Sequence, residues 1–550
     1  MYPKLKNPPV SRQIIQTFGG YDRSTRIDDG SFRDMENLTS DRFPALSPRP
    51  LRGHYRTGIT PAGLAWKDPL WHMEADAPES FWGHLQVGDT QLHPFSVPDY
   101  RNQYVVAMGA YYIVMPGGFW VNTACYDPAA GKLTGKNAAG VISQTADHTG
   151  VRFLPCRIDG TVCEEESDYV RLEGKDIQKG FSQYDGVKLS YLTGDLEHLN
   201  GDNILWQVGE DFLVIQGVLT ASGESDTLRI ERPLPEMDFV IECGNRLWGC
   251  RYGENADGEF VNEIYCSRLG DFKNWQSFLG VATDSAVISL GSDGPFTGAV
   301  SYMGHPVFFK ENMLHKVYIS ATGAHSVTDT PCPGVQSGCA KSLAVVGDTL
   351  FYKSRSGIMA YDGSLPVRLP DVFGEKQYDT AVGGPFRDKY YISMEKDDNY
   401  DLFVYDTRRQ LWHREDSLQV REFASDGDRL YAAVGDEILI LAGAEEPAEG
   451  AVTWFCETGP MELTSPDRKY LTRLNARIAL EPGTEISFYV RYDFSPRWEH
   501  LHTVMSRELG CLDIPLRPKR CDHMYLRLEG KGPALLYSLT KTVEQGSERL

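Results

Sequence analysis

The sequence of 550 residues has few of the features that would place it in a membrane or a secretory route. It contains no run of about 18 apolar residues, so we expect no membrane-spanning helix. Its first residues, MYPKLKNPPVSRQIIQTFGG, lack the apolar stretch of a signal peptide. The 11 cysteines include no CxxC pair, and the spacings Cys243/Cys250 and Cys332/Cys339 fit no common zinc site. We therefore expect reduced, mostly buried thiols in a protein made in a cytoplasm.

Positive charge is also scarce. The chain has 55 Lys and Arg residues against 76 Asp and Glu residues, which gives a net charge of −21. A negative field of this size repels nucleic acid at long range and argues against sequence-specific binding of DNA or RNA. This negative charge is compatible with a protein that lines a channel through which DNA slides without adhering.

Recognisable catalytic motifs are missing as well. We find no Gly-rich phosphate loop, no HExxH, no GxSxG and no DxDxDG calcium loop, although KDDNYD at 396–401 could hold calcium weakly. The 13 histidines are dispersed, and four of them fall at predicted strand ends or turns: His72, His305, His315 and His413. An ordinary hydrogen-bonded histidine is the simpler interpretation for each. The sequence therefore predicts no catalytic, cofactor-binding or metal-binding residue.

What recurs along the chain is a turn followed by the start of an apolar strand. Seven such starts occur, at Leu70, Tyr112, Leu247, Val307, Leu350, Tyr390 and Leu430. Most steps between them are about 40 residues, the size of one β-propeller blade. We predict an all-β chain with a propeller of about seven blades. Two neighbouring starts could share one blade, and any all-β protein places some turn–strand units about 40 residues apart.

Two steps are longer than one blade. The step from Leu247 to Val307 carries a polar loop, GENADGEF. The step from Tyr112 to Leu247 contains five or six short alternating segments joined by Gly, Asp and Asn turns. We predict that residues 51–445 form the propeller and that a small β-barrel at 165–235 interrupts it.

The two ends of the chain differ from this repeat. Residues 1–50 are rich in Gly, Pro, Asp and Arg, and we predict an extended arm lying on the protein or on a neighbour. The one helix candidate there is SFRDMENL at 31–38. AGAEEPAEGA at 442–451 is typical of a linker or an exposed loop.

Beyond that linker the apolar residues alternate with polar ones. In HMYLRLEG, Met524, Leu526 and Leu528 share one side of a half-buried strand, and Arg527 points to the other. About six such segments follow one another in the last hundred or so residues. We predict a β-sandwich of jelly-roll type over 446–550.

Three carboxylates deserve attention, because many propellers are glycosidases that use two carboxylates. Glu415 and Asp416 in LWHRED could face a channel mouth, and so could Asp271 in CSRLGDFKNWQSF. The last segment shares a Ser, a Gly and Trp275 with the Asp-box of sialidases. The order is wrong, however, because Asp271 follows Gly270 instead of preceding it by two residues. Turn residues or solvated charges are the simpler interpretation.

Several segments resemble a structural protein encoded in prophages of gut Firmicutes. They are YDRSTRIDDGSFRDMENLTSDRFPALSPRP, NRLWGCRYG, EIYCSRLGDFKNWQSF, GSDGPFTGAVSYMGHPVFFKENMLHKVYIS, GVQSGCAKSLAVVGDTLFYKSRSGIMAYDGSLP, LFVYDTRRQLWHRED and PLRPKRCDHMYLRLEGKGPALLYSLTKTVEQGSE. The resemblance covers most of the chain and implies that SRLGDxxNW is a blade feature. By fold, such proteins look like the propeller nozzle or packaged-DNA stabilisation proteins of short-tailed phages, which close the lower end of the head–tail connector as a ring.

The resemblance implies a virion structural protein that is not an enzyme and needs no cofactor. We expect a homo-oligomeric ring, a hexamer, around a DNA channel, assembled in the bacterial host cytoplasm on portal, adaptor and other tail proteins. Three alternatives remain. One is a receptor- or glycan-binding tail protein whose C-terminal sandwich binds carbohydrate through exposed aromatics such as Trp498. The others are a propeller polysaccharide hydrolase and a host protein-interaction scaffold.

Overall fold

The computed structural model describes residues 10–545 except 78, 136, 256–257, 321–323 and 462–467. The predicted all-β class is confirmed, because nearly all regular structure in the described residues is strand. The described helical segments are short 3-10 turns, at Tyr100–Asn102, Thr123–Cys125, Gly194–Leu199 and Ala340–Ser342. Among the described residues, no helix has the length and apolar content needed to cross a membrane.

The chain divides into two compact units. The middle unit is Pro61–Gln336, and the terminal unit combines Met1–Thr60 with Ser337–Leu550. The predicted propeller range, 51–445, therefore contributes to both units.

Four antiparallel sheets of four strands, sheets 1 to 4, belong to the middle unit. Sheet 1 contains Ala62–Trp66, Leu70–Ala75, Trp82–Val87 and Thr90–Pro98, and sheet 2 contains Tyr104–Met108, Tyr111–Met115, Phe119–Asn122 and Ala139–Val141. Sheet 3 contains Phe239–Glu242, Leu247–Glu254, Phe260–Cys266 and Ala286–Ser289, and sheet 4 contains Phe296–Tyr302, His305–Lys310, Met313–Ile319 and His325–Pro331. The first strand of each of these sheets contacts the first strand of the next.

Three further sheets of four strands, sheets 5 to 7, belong to the terminal unit. Sheet 5 contains Ala344–Val346, Thr349–Ser354, Gly357–Tyr361 and Val367–Arg368, and sheet 6 contains Thr380–Phe386, Lys389–Lys396, Asn399–Asp406 and Leu411–Asp416. Sheet 7 contains Val420–Ser425, Leu430–Val434 and Glu437–Ala442, and its fourth strand is Gly53–Thr57 from the beginning of the chain. Here too the first strands of successive sheets are in contact.

Each of the seven predicted repeat starts lies on the second strand of its own sheet, so no two of them share a sheet. These second strands are buried on both faces. In His305–Lys310, for example, every residue after the first is buried. A strand covered on both faces has a continuous apolar run, which is why the sequence pattern marks it clearly.

An insert of two sheets separates sheet 2 from sheet 3. Its four-stranded sheet contains Gln144–His148, Leu228–Arg232, Gly186–Ser190 and Gly201–Ile204, and its five-stranded sheet contains Gln207–Gly209, Phe212–Leu219, Ser167–Glu173, Val151–Cys156 and Gly223–Ser225. Buried apolar side chains such as Phe153, Leu213 and Ile230 form its core. The strands begin at Gln144, earlier than the predicted start at 165. The first of them, Gln144–His148, is mostly polar, and the predicted range also leaves out the apolar strand Val151–Cys156.

The last large element is a nine-stranded sheet built from both ends of the chain. It contains Val10–Ile15, Gly20–Tyr21, Ser31–Glu36, Thr453–Thr458, Lys469–Tyr492, Glu499–Ile514, Arg520–Cys521, Met524–Lys531 and Ala534–Gln545. The 24-residue strand Lys469–Tyr492 pairs first with Ala534–Gln545 and then with Met524–Lys531. This long strand therefore joins the C-terminal strands into one hydrogen-bonded network, and the β-sandwich over 446–550 stays a prediction.

The described part of the predicted N-terminal arm forms strands that pair with strands near the other end of the same chain. Val10–Ile15 pairs with Ala534–Gln545, and Ser31–Glu36 pairs with Thr453–Thr458. The helix candidate at 31–38 is wrong, since most of it is strand. A bulge in the pairing lets Phe32 and Met35, three residues apart, both be buried, and that spacing imitates a helix.

Two small two-stranded sheets complete the described structure. They pair Tyr126–Asp127 with Lys132–Leu133 and Leu38–Thr39 with Ser47–Pro48. The second of these lies in the N-terminal segment, just before Arg49 and Arg52.

Candidate functional site

Glu415 and Asp416, two of the three carboxylates considered in the sequence, both bind Arg52. Its Nη2 lies 2.7 Å from Glu415 Oε2, and its Nη1 lies 2.5 Å from Asp416 Oδ2. The side chains of Arg52 and Glu415 are only 4% and 5% exposed. Burial alone lowers the pKa of Arg52, but the two carboxylates outweigh burial and raise it. The pair is therefore engaged in a buried ion cluster that joins the N-terminal segment to sheet 6.

The predicted linker takes part in the same cluster. Arg49 donates two hydrogen bonds to Glu449, of 2.7 and 2.9 Å, and Glu449 also accepts the Arg52 amide at 2.8 Å. Burial raises the pKa of Glu449, but the hydrogen bonds and charges of the two arginines lower it further than burial raises it. The stretch 442–451 is thus anchored by charge to residues 49–52.

Asp271 has a structural environment in the middle unit. Its carboxylate accepts the Lys273 amide at 3.1 Å, as expected of a turn residue. Trp275 is buried and donates to the Phe272 carbonyl at 3.0 Å. Asn274, also buried, accepts the amide of Gly186 in the insert. The SRLGDFKNW segment therefore anchors the insert, and Asp271 is in a different unit from Glu415.

The acidic segment 396–401 is a tight hairpin turn. Asp397 and Asp398 have positive φ, and Lys396 pairs with Asn399 across the turn. Asp401 is buried and accepts hydrogen bonds from Tyr378 at 2.9 Å and Arg414 at 2.8 Å, and from Lys376. Across the described residues, no group of three or more His, Cys, Asp or Glu side chains could hold a metal ion.

The four histidines singled out in the sequence have ordinary structural roles. His72 lies 2.7 Å from Glu74, and His315 lies 2.7 Å from Asp329. His305 contacts the Val317 carbonyl at 3.2 Å. Burial lowers the pKa of His413 to about 3, so this side chain is neutral in the folded protein at any physiological pH.

The cysteines form no disulfides in the structure. Cys243, Cys250 and Cys339 are buried, and burial raises the pKa of each. A thiol with a raised pKa is a poor nucleophile and a poor metal ligand at neutral pH.

The sequence missed a polar groove on the solvent face of the nine-stranded sheet. We call it the sheet groove, and its volume is about 350 Å³. Four neighbouring strands line it: Ser31–Glu36, Thr453–Thr458, Met524–Lys531 and the second half of Lys469–Tyr492. The residues that matter most for its chemistry are Glu36, Phe455, Glu485, Tyr489, Arg527 and Glu529.

Strand register brings these residues together. Ser487 pairs with Glu529, which pairs with Phe455, which in turn pairs with Glu36. The next row pairs Tyr489 with Arg527. Alternate residues of the same strands face the core, because side chains along a strand alternate between its two faces.

The charged groups of the sheet groove hold one another in place. Arg527 Nε donates to Glu529 Oε1 at 2.7 Å, and its Nη1 lies 3.8 Å from Glu457 Oε2. Its guanidinium also stacks on Phe455, 4.6 Å from the ring centroid. Burial, followed by the neighbouring Glu529 carboxylate, raises the pKa of Tyr489.

Trp498, the aromatic residue predicted to contact a glycan, is stacked within the protein. Arg491 lies 4.7 Å from the Trp498 ring centroid and 4.2 Å from that of Tyr525. Phe494, in the same turn, is 91% exposed. Trp498 therefore has a packing partner, and the more open aromatic residue nearby is one the sequence did not single out.

A long edge of the nine-stranded sheet is open. Among the described strands, Glu499–Ile514 pairs with Lys469–Tyr492 and with no other. Met505 is 68% exposed and Leu509 is 61% exposed on this strand. Over the described residues, this strand therefore has a neighbouring strand on one side only, and it exposes apolar side chains.

Comparisons with known proteins identify no relative. No family model and no curated protein matches the chain. Among solved structures, the chain is similar to the dihydro-heme d1 dehydrogenase NirN, with 10% identity, a TM-score of 0.30 and coverage of 64% of each chain. It is also similar to an exo-β-1,3-galactanase from Phanerochaete chrysosporium, with 9% identity, a TM-score of 0.20, and coverage of 55% of this chain and 94% of that one. Likenesses this weak carry no argument about function.

Proposed function

We propose that the chain is a non-catalytic structural protein of a virion, a head–tail connector or tail-nozzle component that forms a ring around the DNA channel. The segments that resemble a prophage structural protein support this proposal. The engagement of Glu415 and Asp416 in ion pairs with Arg52 is consistent with it. The net charge of −21 would keep DNA from adhering to such a channel.

The proposal includes a seven-bladed propeller made of sheets 1 to 7. Two observations support it. The first strands of successive sheets are in contact within each unit, as expected of the inner strands of blades. Sheet 7 takes its fourth strand, Gly53–Thr57, from the other end of the chain, with Ile440 paired to Gly53. Joining the two ends in one blade is a way to close a radial repeat without leaving long edges.

The open edge strand Glu499–Ile514 is the observation that supports assembly into a ring. Stable monomers avoid long, apolar, unpaired edges, because such edges pair with other chains. Here the edge is 16 residues long and exposes Met505 and Leu509. We assign a second copy of the chain to this edge. If the contact is heterologous and its rotation closes, it generates a ring.

The test is the mass of the purified protein by multi-angle light scattering, alone and with the portal and adaptor proteins of its phage. We expect a ring of about six copies, formed alone or on the adaptor. The double variant Met505→Lys, Leu509→Lys should remain monomeric, because two charges would be desolvated at the contact. Val367→Lys is the matched control, since Val367 is 66% exposed on the outer strand of sheet 5. A chain that stays monomeric with every partner would refute the proposal.

A further inference from the structure

We infer that the sheet groove binds a neutral oligosaccharide. This function is separate from ring formation, because the groove residues lie on the face of the nine-stranded sheet and the proposed assembly contact is its edge.

The sheet groove is a preformed concave site. Its volume of about 350 Å³ lies at the lower end of the range for small-ligand pockets. Its walls are side chains on paired strands, which hold their positions better than loops do. On the core side of the same strands, Gly530 packs tightly against the Trp454 indole, whose Nε1 donates to the Gly532 carbonyl at 3.1 Å. A ligand would therefore meet a site that needs little ordering.

The polar groups of the groove suit hydroxyl groups. A sugar hydroxyl both donates and accepts, so it is best met by a donor and an acceptor placed side by side. Arg527 and Glu529 form such a pair, with Nε and Oε1 2.7 Å apart. The Ser487 hydroxyl, which also lines the groove, can itself donate and accept. Two adjacent hydroxyls of one sugar ring can bridge the pair of Arg527 and Glu529.

Aromatic rings lie on both sides of these polar groups. Tyr489 lies on one side of the Met524–Lys531 strand, and Phe455 lies on the other with the Arg527 guanidinium stacked on it. Strands separated by one intervening strand are roughly 10 Å apart, which is enough to accommodate more than one sugar ring. The Tyr489 ring offers the apolar C–H face of a pyranose a flat surface with many dispersion contacts.

The charge of the groove selects against anionic ligands. Glu36, Glu485 and Glu529 supply three carboxylates, whereas Arg527 and Lys531 supply two cations. Arg527 is already held by Glu529 and lies near Glu457. Together with the net charge of −21, this composition disfavours DNA and acidic polysaccharides. The charge of the groove therefore favours a neutral ligand rich in hydroxyl groups.

The experiment is isothermal titration calorimetry of the full chain with neutral hexasaccharides of glucose, galactose, mannose and N-acetylglucosamine. Heparin serves as the anionic probe. We expect at least one neutral hexasaccharide to bind with a Kd below about 1 mM. Tyr489→Ala and the nearly isosteric Glu529→Gln should each weaken that binding by about tenfold or more. Tyr537→Ala is the matched control, because Tyr537 is an exposed tyrosine on another strand of the same sheet.

The possible results separate clearly. Loss of binding in both groove variants, with intact binding in Tyr537→Ala, supports the inference. Thermal unfolding of the variants shows whether they remain folded, and Glu529→Gln preserves the shape of the site if Tyr489→Ala does not fold. Binding by none of the neutral sugars, binding by heparin alone, or binding that neither variant changes would overturn it.

Discussion

Arg52 and Arg527 are each placed beside two carboxylates, but they lie in contrasting surroundings. Arg52 binds Glu415 and Asp416 with its side chain 4% exposed, whereas Arg527 binds Glu529, lies near Glu457 and is 28% exposed. The same chemistry therefore serves two purposes. A buried arginine between two carboxylates holds distant segments of the chain together. A partly exposed arginine in a groove can exchange its contacts with water for contacts with a ligand.

The largest effect should follow from removing the buried arginine. In Arg52→Met, two carboxylates remain inside the protein without their cation, and we expect the free energy of unfolding to fall by about 3–5 kcal/mol. Urea denaturation measures this loss. Arg229→Met is the matched control, because Arg229 pairs with the exposed Asp147, and its urea midpoint should not change. Equal midpoints for the two variants would show that the Arg52 cluster does not stabilise the fold.

The second effect tests the packing on the core side of the strands that line the sheet groove. A Cβ added at Gly530 would lie 2.1 Å from the Trp454 ring, so the indole would have to move. We expect Gly530→Ala to reduce the free energy of unfolding by about 1–3 kcal/mol through overpacking. Gly450→Ala, where an added Cβ meets nothing within 4 Å, is the control in the same unit. A Gly530→Ala protein as stable as this control would mean that this packing adapts freely.

A third prediction concerns pH and the strand that carries Glu415. Burial lowers the pKa of His413 to about 3 in the folded protein, against about 6.5 in the unfolded chain. The contribution of this pKa difference to the free energy of unfolding is complete above pH 6.5. It is lost as the pH falls towards 3, because only the unfolded chain takes up the proton in that window. At pH 5 the loss should be about 2 kcal/mol.

The measurement is urea denaturation at pH 7.5 and pH 5, on the wild type and on His413→Leu. Because the variant has no imidazole at this position, its stability should change less between the two pH values than that of the wild type. An identical change in both proteins would show that His413 contributes nothing to the pH dependence.

The smallest effect on stability should come from the groove arginine. Arg527→Met removes a partly exposed charge, so we expect the free energy of unfolding to fall by less than about 1 kcal/mol. The same variant should lose oligosaccharide affinity, which calorimetry measures. A stability loss as large as that of Arg52→Met would make Arg527 a structural residue and erase the contrast between the two sites.

The repeat could be predicted from the sequence because the second strand of each sheet leaves a local pattern of apolar residues. A turn followed by a fully buried strand leaves a short apolar run, and Leu350 and Tyr390 are typical examples. The sheet groove could not be predicted from the sequence, since its residues extend from Glu36 to Lys531 and each one is an ordinary residue of an alternating strand. The bulge beside Phe32 shows how a non-local pairing can even imitate another local pattern.

The sequence by itself determined the all-β class, the positions of the seven repeat starts and the alternation of the C-terminal strands. All three depend on whether neighbouring side chains are buried, which local composition records. Only the tertiary structure decided which strands complete which sheets, that Arg52 pairs with Glu415 and Asp416, and that Tyr489 and Arg527 share one groove. Those outcomes depend on pairing between residues that are not neighbours in the sequence, and the register that brings them together is set by the packing of the whole sheet.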